Sequence, residues 1–485
     1  MPSPLARGLA AVLVLVLAGA VSPTARQTRV SPWLDTAVRQ ARASDRLAVW
    51  VYFADKAGTA ASPVTARARS RRGRRGATTP ATAFEDRALS PAYVEGVSGL
   101  VERVRQQSRW LNAVSVEATP AQIARLSTLD FVARLDPVRR YRRLREEPIE
   151  PLATKADARL RGLDVEDEPL DYGTGLDQVR QLRVPALHER GLHGEGVVIA
   201  VFDSGFPNLG HEAFASMAIV AERDFVAGRE SVRDSTDAHG TNTLSTLGGY
   251  APGQLIGPAY RASFLLAVTE DVRSETPIEE DNWAAAAEWA EALGADVISS
   301  SLGYLDFDSP YTSYTARDMN GETAVTTRAA ALAAERGVVV VNSAGNQGLD
   351  DSQNTLGAPA DGVRVVSVGA VTRTGVRAPF SSVGPTADGR IKPDVAAMGV
   401  GVKVARHFEN AYGLASGTSF SCPLTAGVVA LVLQARPELT VDDLLTVLRG
   451  SASQAGAPDT LLGWGIVDAV AAVELPLPVA SSGGR

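Results

Sequence analysis

The 485-residue sequence predicts an α/β domain on a mainly parallel sheet, preceded by a smaller α+β domain. Two patterns support this. Continuous apolar runs at 197–202, 297–298, 338–341 and 363–368 have the composition of strands buried on both faces. Helical segments at 282–293, 324–336 and 419–434 alternate with them, as they do when helices cover both sides of a parallel sheet. Charge divides the chain in the same place. Residues 1–150 hold 24 basic and 13 acidic side chains, a balance of +11, and the remainder holds 24 and 42, a balance of −18. Such complementarity favours docking of one part of the chain on the other.

From the N-terminus, Arg7 precedes an apolar run at 9–17 and the small residues Ala18-Gly19-Ala20. This is the form of a cleavable signal peptide over residues 1–25. The run falls short of the roughly 20 residues that span a bilayer. No later segment reads as a span, so a secreted protein (extracellular or periplasmic) without a stable membrane anchor is expected. The single cysteine, Cys422, excludes an intrachain disulfide. It reads as a small buried packing residue.

Residues 30–142 read as the small domain. Leu47 to Phe53 is strand-like, 93–111 has helical spacing, and 113–118 alternates like a strand. Thr119-Pro120 opens a helix through Leu126, and 131–135 closes the unit as a strand. Arg67, Arg69, Arg71, Arg72, Arg74 and Arg75 lie among Gly, Ala and Thr. They read either as a nucleic-acid patch or as a solvated, protease-sensitive loop. The export signal favours the loop, and no nucleic-acid partner is expected. Residues 143–170 mix Glu, Asp and Pro without periodicity and read as a linker. The large domain covers 172–473, and 474–485 is a tail, disordered from 480.

Three short blocks carry the chemistry: Asp203-Ser204-Gly205, His239-Gly240-Thr241 and Gly417-Thr418-Ser419. A serine hydroxyl needs a base within hydrogen-bond reach, and that base needs a carboxylate on its other nitrogen. Asp203 ends a strong strand, where open α/β sheets place reactive groups. Ser419 opens a long apolar helix, whose first N–H groups stabilise developing negative charge. Taken singly, the three would read as a turn aspartate, a helix-start histidine and an N-cap serine. Ser421 lacks the preceding Gly-Thr and is the poorer nucleophile. His188, His193, His211 and His407 read as surface or packing residues.

The blocks, in the order Asp, His, Ser, resemble those of the subtilisin-like serine peptidases. The small domain, with its Trp110-Leu111-Asn112-Ala113 segment, resembles the family's ferredoxin-like inhibitory prodomain. The resemblance implies a three-layer catalytic domain with Asp203, His239 and Ser419 as catalytic triad. Asn346, in Ser343-Ala344-Gly345-Asn346, would be the oxyanion donor. Ser301, Leu302 and Gly303 would bind substrate backbone as an added strand, and Gly357 would floor a pocket open to large apolar P1 side chains. The segments 380–385 and 390–395 are also family-like. Implied partners are polypeptide substrates and the chain's own prodomain, which the enzyme would cut off within the 143–170 linker; a monomer is expected. A catalytically inactive binding protein on the same scaffold is the alternative, disfavoured because all four active-site residues are present. Two departures stand out. His239-Gly240-Thr241 continues as Asn242-Thr243-Leu244-Ser245, where small apolar residues are usual. The loop 250–257 lacks the Asn-rich insertion of a strong calcium site, and Asp318-Met319-Asn320-Gly321 offers fewer than the 6–8 oxygens calcium prefers. No cofactor or metal is therefore expected.

Overall fold

The computed structural model describes residues 29–77, 83–138, 150–151, 170–234, 237–270, 280–305 and 313–477. The segment expected to be a signal peptide, almost all of the expected linker and the tail from 478 lie outside them. The small domain comprises α1 (Pro32–Gln40), β1 (Leu47–Phe53), α2 (Ala66–Arg74), α3 (Pro91–Ser98), β2 (Arg103–Ser108), β3 (Ala113–Ala118), α4 (Pro120–Leu126) and β4 (Val132–Pro137). Its antiparallel sheet has the order β2-β3-β1-β4, the ferredoxin-like arrangement. α4 starts with a capping box in which Thr119 and Gln122 exchange side-chain and backbone bonds, and Pro120 sits where its missing N–H costs nothing.

Two expectations for this domain fail. The helical spacing over 93–111 resolves into the short helix α3 and the strand β2. Gly99 ends the helix, and Val104 then pairs with Val116 of β3. The arginine segment is no solvated loop either: it is the helix α2, with Arg71, Arg72 and Arg75 buried against the large domain. Local sequence read the arginines as needing water, whereas partners more than 200 positions away receive them.

Glu150–Pro151 forms the short strand β5 within the stretch expected to be a plain linker. The large domain follows: α5 (Leu176–Arg180), α6 (Val184–His188), β6 (Val198–Asp203), β7 (Ala218–Asp224), α7 (His239–Gly248), β8 (Tyr250–Ala251), β9 (Leu255–Ile256), β10 (Ser263–Val268), α8 (Glu280–Leu293), β11 (Val297–Ser300), α9 (Val325–Glu335), β12 (Val339–Ser343), β13 (Val365–Val371), β14 (Val395–Met398), β15 (Val402–Ala405), β16 (Tyr412–Ala415), α10 (Thr418–Ala435), α11 (Val441–Ser451) and α12 (Ala469–Glu474). Seven strands pair in parallel in the order β14-β13-β12-β11-β6-β10-β7. β5 and β15 flank β16 in a separate small sheet.

The alternation of side chains along each strand divides the core. Ile199 and Val201 face the layer of α7, α10 and α11, whereas Val198, Ala200 and Phe202 face α8 and α9. The second layer continues without a break into the small domain through Trp110, Val114 and Val116. α10 is long and apolar enough to cross a membrane, contrary to the sequence expectation, but it is buried in the first layer as a core helix.

His188 closes α6 between two partners: Nδ1 meets the Tyr172 hydroxyl at 2.7 Å and Nε2 meets the Pro258 carbonyl at 2.8 Å. Burial is the main cause that pushes its pKa down to about 4 from 6.5. Its folded pKa lies below the unfolded value, so its contribution is complete above pH 6.5 and is lost as pH falls towards 4, by roughly 3 kcal/mol in total. Denaturant midpoints for the wild type should therefore fall more steeply between pH 6.5 and 4 than those of His188→Gln; parallel slopes would exclude His188 as an acid-sensitive group.

Candidate active site

The carboxyl end of β6 presents Asp203, with no solvent exposure. A buried carboxylate must be hydrogen-bonded, and here donors surround it. Oδ1 accepts from the Ser204 N–H at 2.8 Å and lies 2.6 Å from His239 Nδ1, and Oδ2 accepts from the Thr243 hydroxyl at 2.9 Å. His239 and Thr243 are one helical turn apart on α7, so one helix addresses both oxygens. Gly240, between them, packs so tightly that an added Cβ would lie 2.4 Å from the Gly205 carbonyl oxygen. Any side chain there would push α7 off β6.

Asp237 positions the helix start. Its Oδ1 accepts from the His239 N–H at 2.8 Å and from the Ser204 hydroxyl at 2.7 Å. With Nδ1 bound to Asp203, the imidazole turns Nε2 away from the carboxylate. The ring lies 5.8 Å from that of Phe420, the neighbour of Ser419.

Ser419 is buried in the first turn of α10, where its N–H has no intrahelical obligation. Asn346, after β12, holds that turn: its Oδ1 accepts from the Thr418 N–H at 2.9 Å and from the Thr418 hydroxyl at 2.8 Å. The amide oxygen is thereby committed to Thr418. Ser301, after β11, accepts Ser419 Oγ on its carbonyl at 3.4 Å and donates its own hydroxyl to the Ser419 carbonyl at 2.9 Å. The Leu302 carbonyl is held by Asn342 Nδ2 at 2.8 Å and Ser343 Oγ at 3.2 Å. Beyond it, Tyr304 and Ala358 exchange backbone bonds at 2.9 and 3.0 Å, which brings Gly303 beside Gly357. All eight residues singled out from the sequence thus collect at the carboxyl ends of β6, β11 and β12.

A family model described as the subtilase family matches residues 194–465. The chain belongs to the subtilase family. A second model, a Peptidase S8 propeptide domain of Bacteroidota, matches residues 48–151. Subtilisin NAT of Bacillus subtilis subsp. natto is 30% identical over 298 residues, covering 61% of this chain and 70% of the relative. Subtilisin BL of Lederbergia lenta is 31% identical, covering 61% and 97%. Fervidolysin from Fervidobacterium pennivorans shares the fold, with a TM-score of 0.64 at 22% identity over 90% of this chain and 63% of that one. MycP1 with its propeptide removed superposes with a TM-score of 0.51 at 25% identity, covering 62% and 98%. This subtilase is accordingly a subtilisin-like serine peptidase, a peptide-bond hydrolase that carries an N-terminal propeptide domain.

The sequence did not single out Thr243, Ser204, Asp237 or Thr418. The departure at 242–245 was the available signal. Thr243 binds Asp203, and Ser245 Oγ bridges from the Asn242 carbonyl at 2.7 Å to the Ala405 N–H at 2.9 Å, which ties α7 to β15. Asp318 and Asn320 spend their oxygens locally, Asp318 on Thr315 and Asn320 on the N–H groups of Glu322 and Thr323.

Cys422 lies one turn behind Ser419 but has no exposure, and burial pushes its thiol up to about 12. The thiolate is the reactive form. Native protein at pH 8 should therefore leave Cys422 unalkylated by iodoacetamide in intact-mass spectra, and denaturation should expose one reactive thiol; rapid labelling of the folded chain would contradict this burial.

Proposed function

We propose that this subtilase is a secreted serine endopeptidase made as a self-processing zymogen, with Ser419 as nucleophile, His239 as base and Asp203 as orienting carboxylate. The observation that carries the reading is the 2.6 Å Asp203–His239 contact beside the helix turn that presents Ser419. Ser419 Oγ attacks the scissile carbonyl carbon and its proton passes to His239 Nε2. Asp203, bound to Nδ1, holds the tautomer and stabilises the imidazolium. The carbonyl oxygen, now an oxyanion, receives the Asn346 amide and the Ser419 N–H. His239 then gives the proton to the leaving nitrogen as the C–N bond breaks. A water attacks the acyl-enzyme by the same route in reverse order, and Ser419 regains its proton.

Substrate would lie along Ser301, Leu302 and Gly303 as an added strand. Gly357 beside Gly303 leaves room for a large apolar P1 side chain. A peptide-library profile should show that preference, and one dominated by charged P1 residues would refute it.

A fluorophosphonate or phenylmethylsulfonyl fluoride should label the mature protein on Ser419 alone. Absence of an adduct in peptide mass spectra would sink the enzymatic assignment. Asn346→Ala should lower kcat by about 10²–10³-fold with KM little changed, the magnitude measured for the comparable donor in a subtilisin.

Processing at the propeptide junction is supported by two observations. The propeptide match ends at residue 151, and β5, at 150–151, pairs with Leu414 and Gly413 of β16, the strand that leads into Ser419. Purified Ser419→Ala protein should persist as a chain lacking only its signal peptide, whereas the wild type should acquire a new N-terminus within 143–170. If Ser419→Ala matures to the same N-terminus with no other protease present, cleavage is not autocatalytic.

A further inference from the structure

The four arginines that α2 and its flanks send into the large domain do more than pair charges. α8 ends at Leu293 and α9 at Glu335, and each chain then turns through a glycine of positive φ, Gly294 at +99° and Gly337 at +79°. A helix carries the negative end of its dipole at its C-terminus, and Arg71 reaches the last-turn carbonyl of Glu291 in α8 at 3.4 Å; most of the other carbonyls that the arginines meet lie in the turns just past the two helix ends. Arg67 donates to the carbonyls of Gly294 at 3.0 Å and Gly196 at 2.6 Å. Arg71 donates to those of Ala295 at 2.5 Å and Arg336 at 3.3 Å, and Arg75 to those of Gly337 at 2.9 Å and Asp296 at 3.1 Å. Further donors reach carboxylates: Arg71 and Arg72 meet Glu291, and Arg67 and Arg75 meet Asp296. Arg71 and Glu291 are both without exposure. Asp86, beside α2, bridges Arg72 to Arg336 of the large domain.

This contact lies away from the catalytic cleft. Asp296 accepts the Val198 N–H at 3.0 Å and gives its carbonyl to Val339 N–H at 3.0 Å, so the arginines gather at the amino ends of β6, β11 and β12. Asp203 is at the opposite end of β6, five residues on, or roughly 17 Å away. Forked guanidinium donors suit a carboxylate and two carbonyls at once, which a compact ammonium does not.

We propose that the paired C-terminal ends of α8 and α9 form an arginine-recognition site, separate from the cleft, which retains the propeptide on the peptidase after the junction is cut and which a polypeptide helix bearing the same arginines fits once α2 leaves. The proposal builds on the processing read above, so its test avoids the enzyme's own activity. A full-length Ser419→Ala chain carries an inserted recognition sequence for an unrelated protease between 152 and 169. After that cut, size-exclusion chromatography and a dissociation time course at 0.15 M salt follow release of the N-terminal fragment.

The fragments of the otherwise unaltered chain should co-elute. Arg71→Met with Arg75→Met leaves Glu291 and Asp296 buried with fewer partners, and release should quicken by about 100-fold or more. Arg67, with 35% of its side chain exposed, is the substitution that spares folding. Arg67→Met should quicken release about tenfold, as loss of a charged hydrogen-bonded contact does, and Arg67→Lys should not restore the slow rate. Arg39→Met, on the exposed face of α1, should change nothing. The proposal is overturned if Arg67→Met releases at the original rate, if Arg67→Lys equals arginine, or if the unaltered fragments separate at once. If the double variant does not fold, the Arg67 pair decides alone. Failure of Ser419 to take a fluorophosphonate would strike the catalytic reading and leave this result untouched.

Discussion

The burial of one carboxylate organises the catalytic end of the molecule. Asp203 sits without solvent at the end of β6, and a charge in that position is tolerable only when hydrogen bonds replace its water. Meeting that demand brings α7 against the strand through Gly240, sets the His239 ring by its Nδ1 contact and recruits the hydroxyl of Thr243. Asp237 repeats the arrangement one layer out, binding the backbone of His239 and the hydroxyl of Ser204. The imidazole is thus oriented by the folding requirement of its neighbour, and the α10 turn is placed against it by Asn346 and Ser301.

The face of α8 meets a comparable demand with parts from the propeptide. Asp281, Glu288 and Glu291 lie along the face of α8, and each is covered by the small domain: Ser115 donates to Asp281 at 2.5 Å, the Arg109 and Trp110 N–H groups donate to Glu288 at 3.1 and 3.2 Å, and Arg72 grips Glu291. Burial raises the pKa of Glu288, consistent with a carboxylate stripped of water. Apolar contact runs through the same boundary, since the core under α8 and the core of the small domain are continuous. The charge asymmetry read from composition therefore resolves into identifiable pairs, most of them desolvated. A desolvated pair adds little net stability over apolar packing, but losing one partner leaves a costly buried charge.

Much of the site was legible because its chemistry is carried by short blocks. Asp203, His239, Ser419 and Asn346 each stand beside a glycine or a helix start whose purpose is local, and their order along the chain needs no partner to be recognised. The strands were legible for a related reason: residues buried on both faces read as unbroken apolar runs, as at Val197 to Phe202. The stretch 93–111 was misread because the three-and-four spacing of Val94, Val97, Val101 and Val104 runs on past Gly99, whereas β2 holds only Val104 of that set and is defined by its pairing with β3. The arginines of α2 were misread because solvation is the ordinary fate of guanidinium groups and nothing nearby in sequence contradicted it.

The sequence by itself determined the fold class, the candidate site residues and the presence of a basic domain beside an acidic one. Periodicity, residue type and summed charge are properties that need no coordinates. Tertiary structure alone decided how each group is held. Thr243 became a ligand of Asp203 because a helix turn places positions 239 and 243 on one face, against the end of β6. α2 became a buried helix because α8 and α9 end side by side, and the carbonyls just past their ends, with Glu291 and Asp296, face a single gap. Hydrogen bonding and desolvation depend on distances across the fold, and a chain read in order contains no such distances.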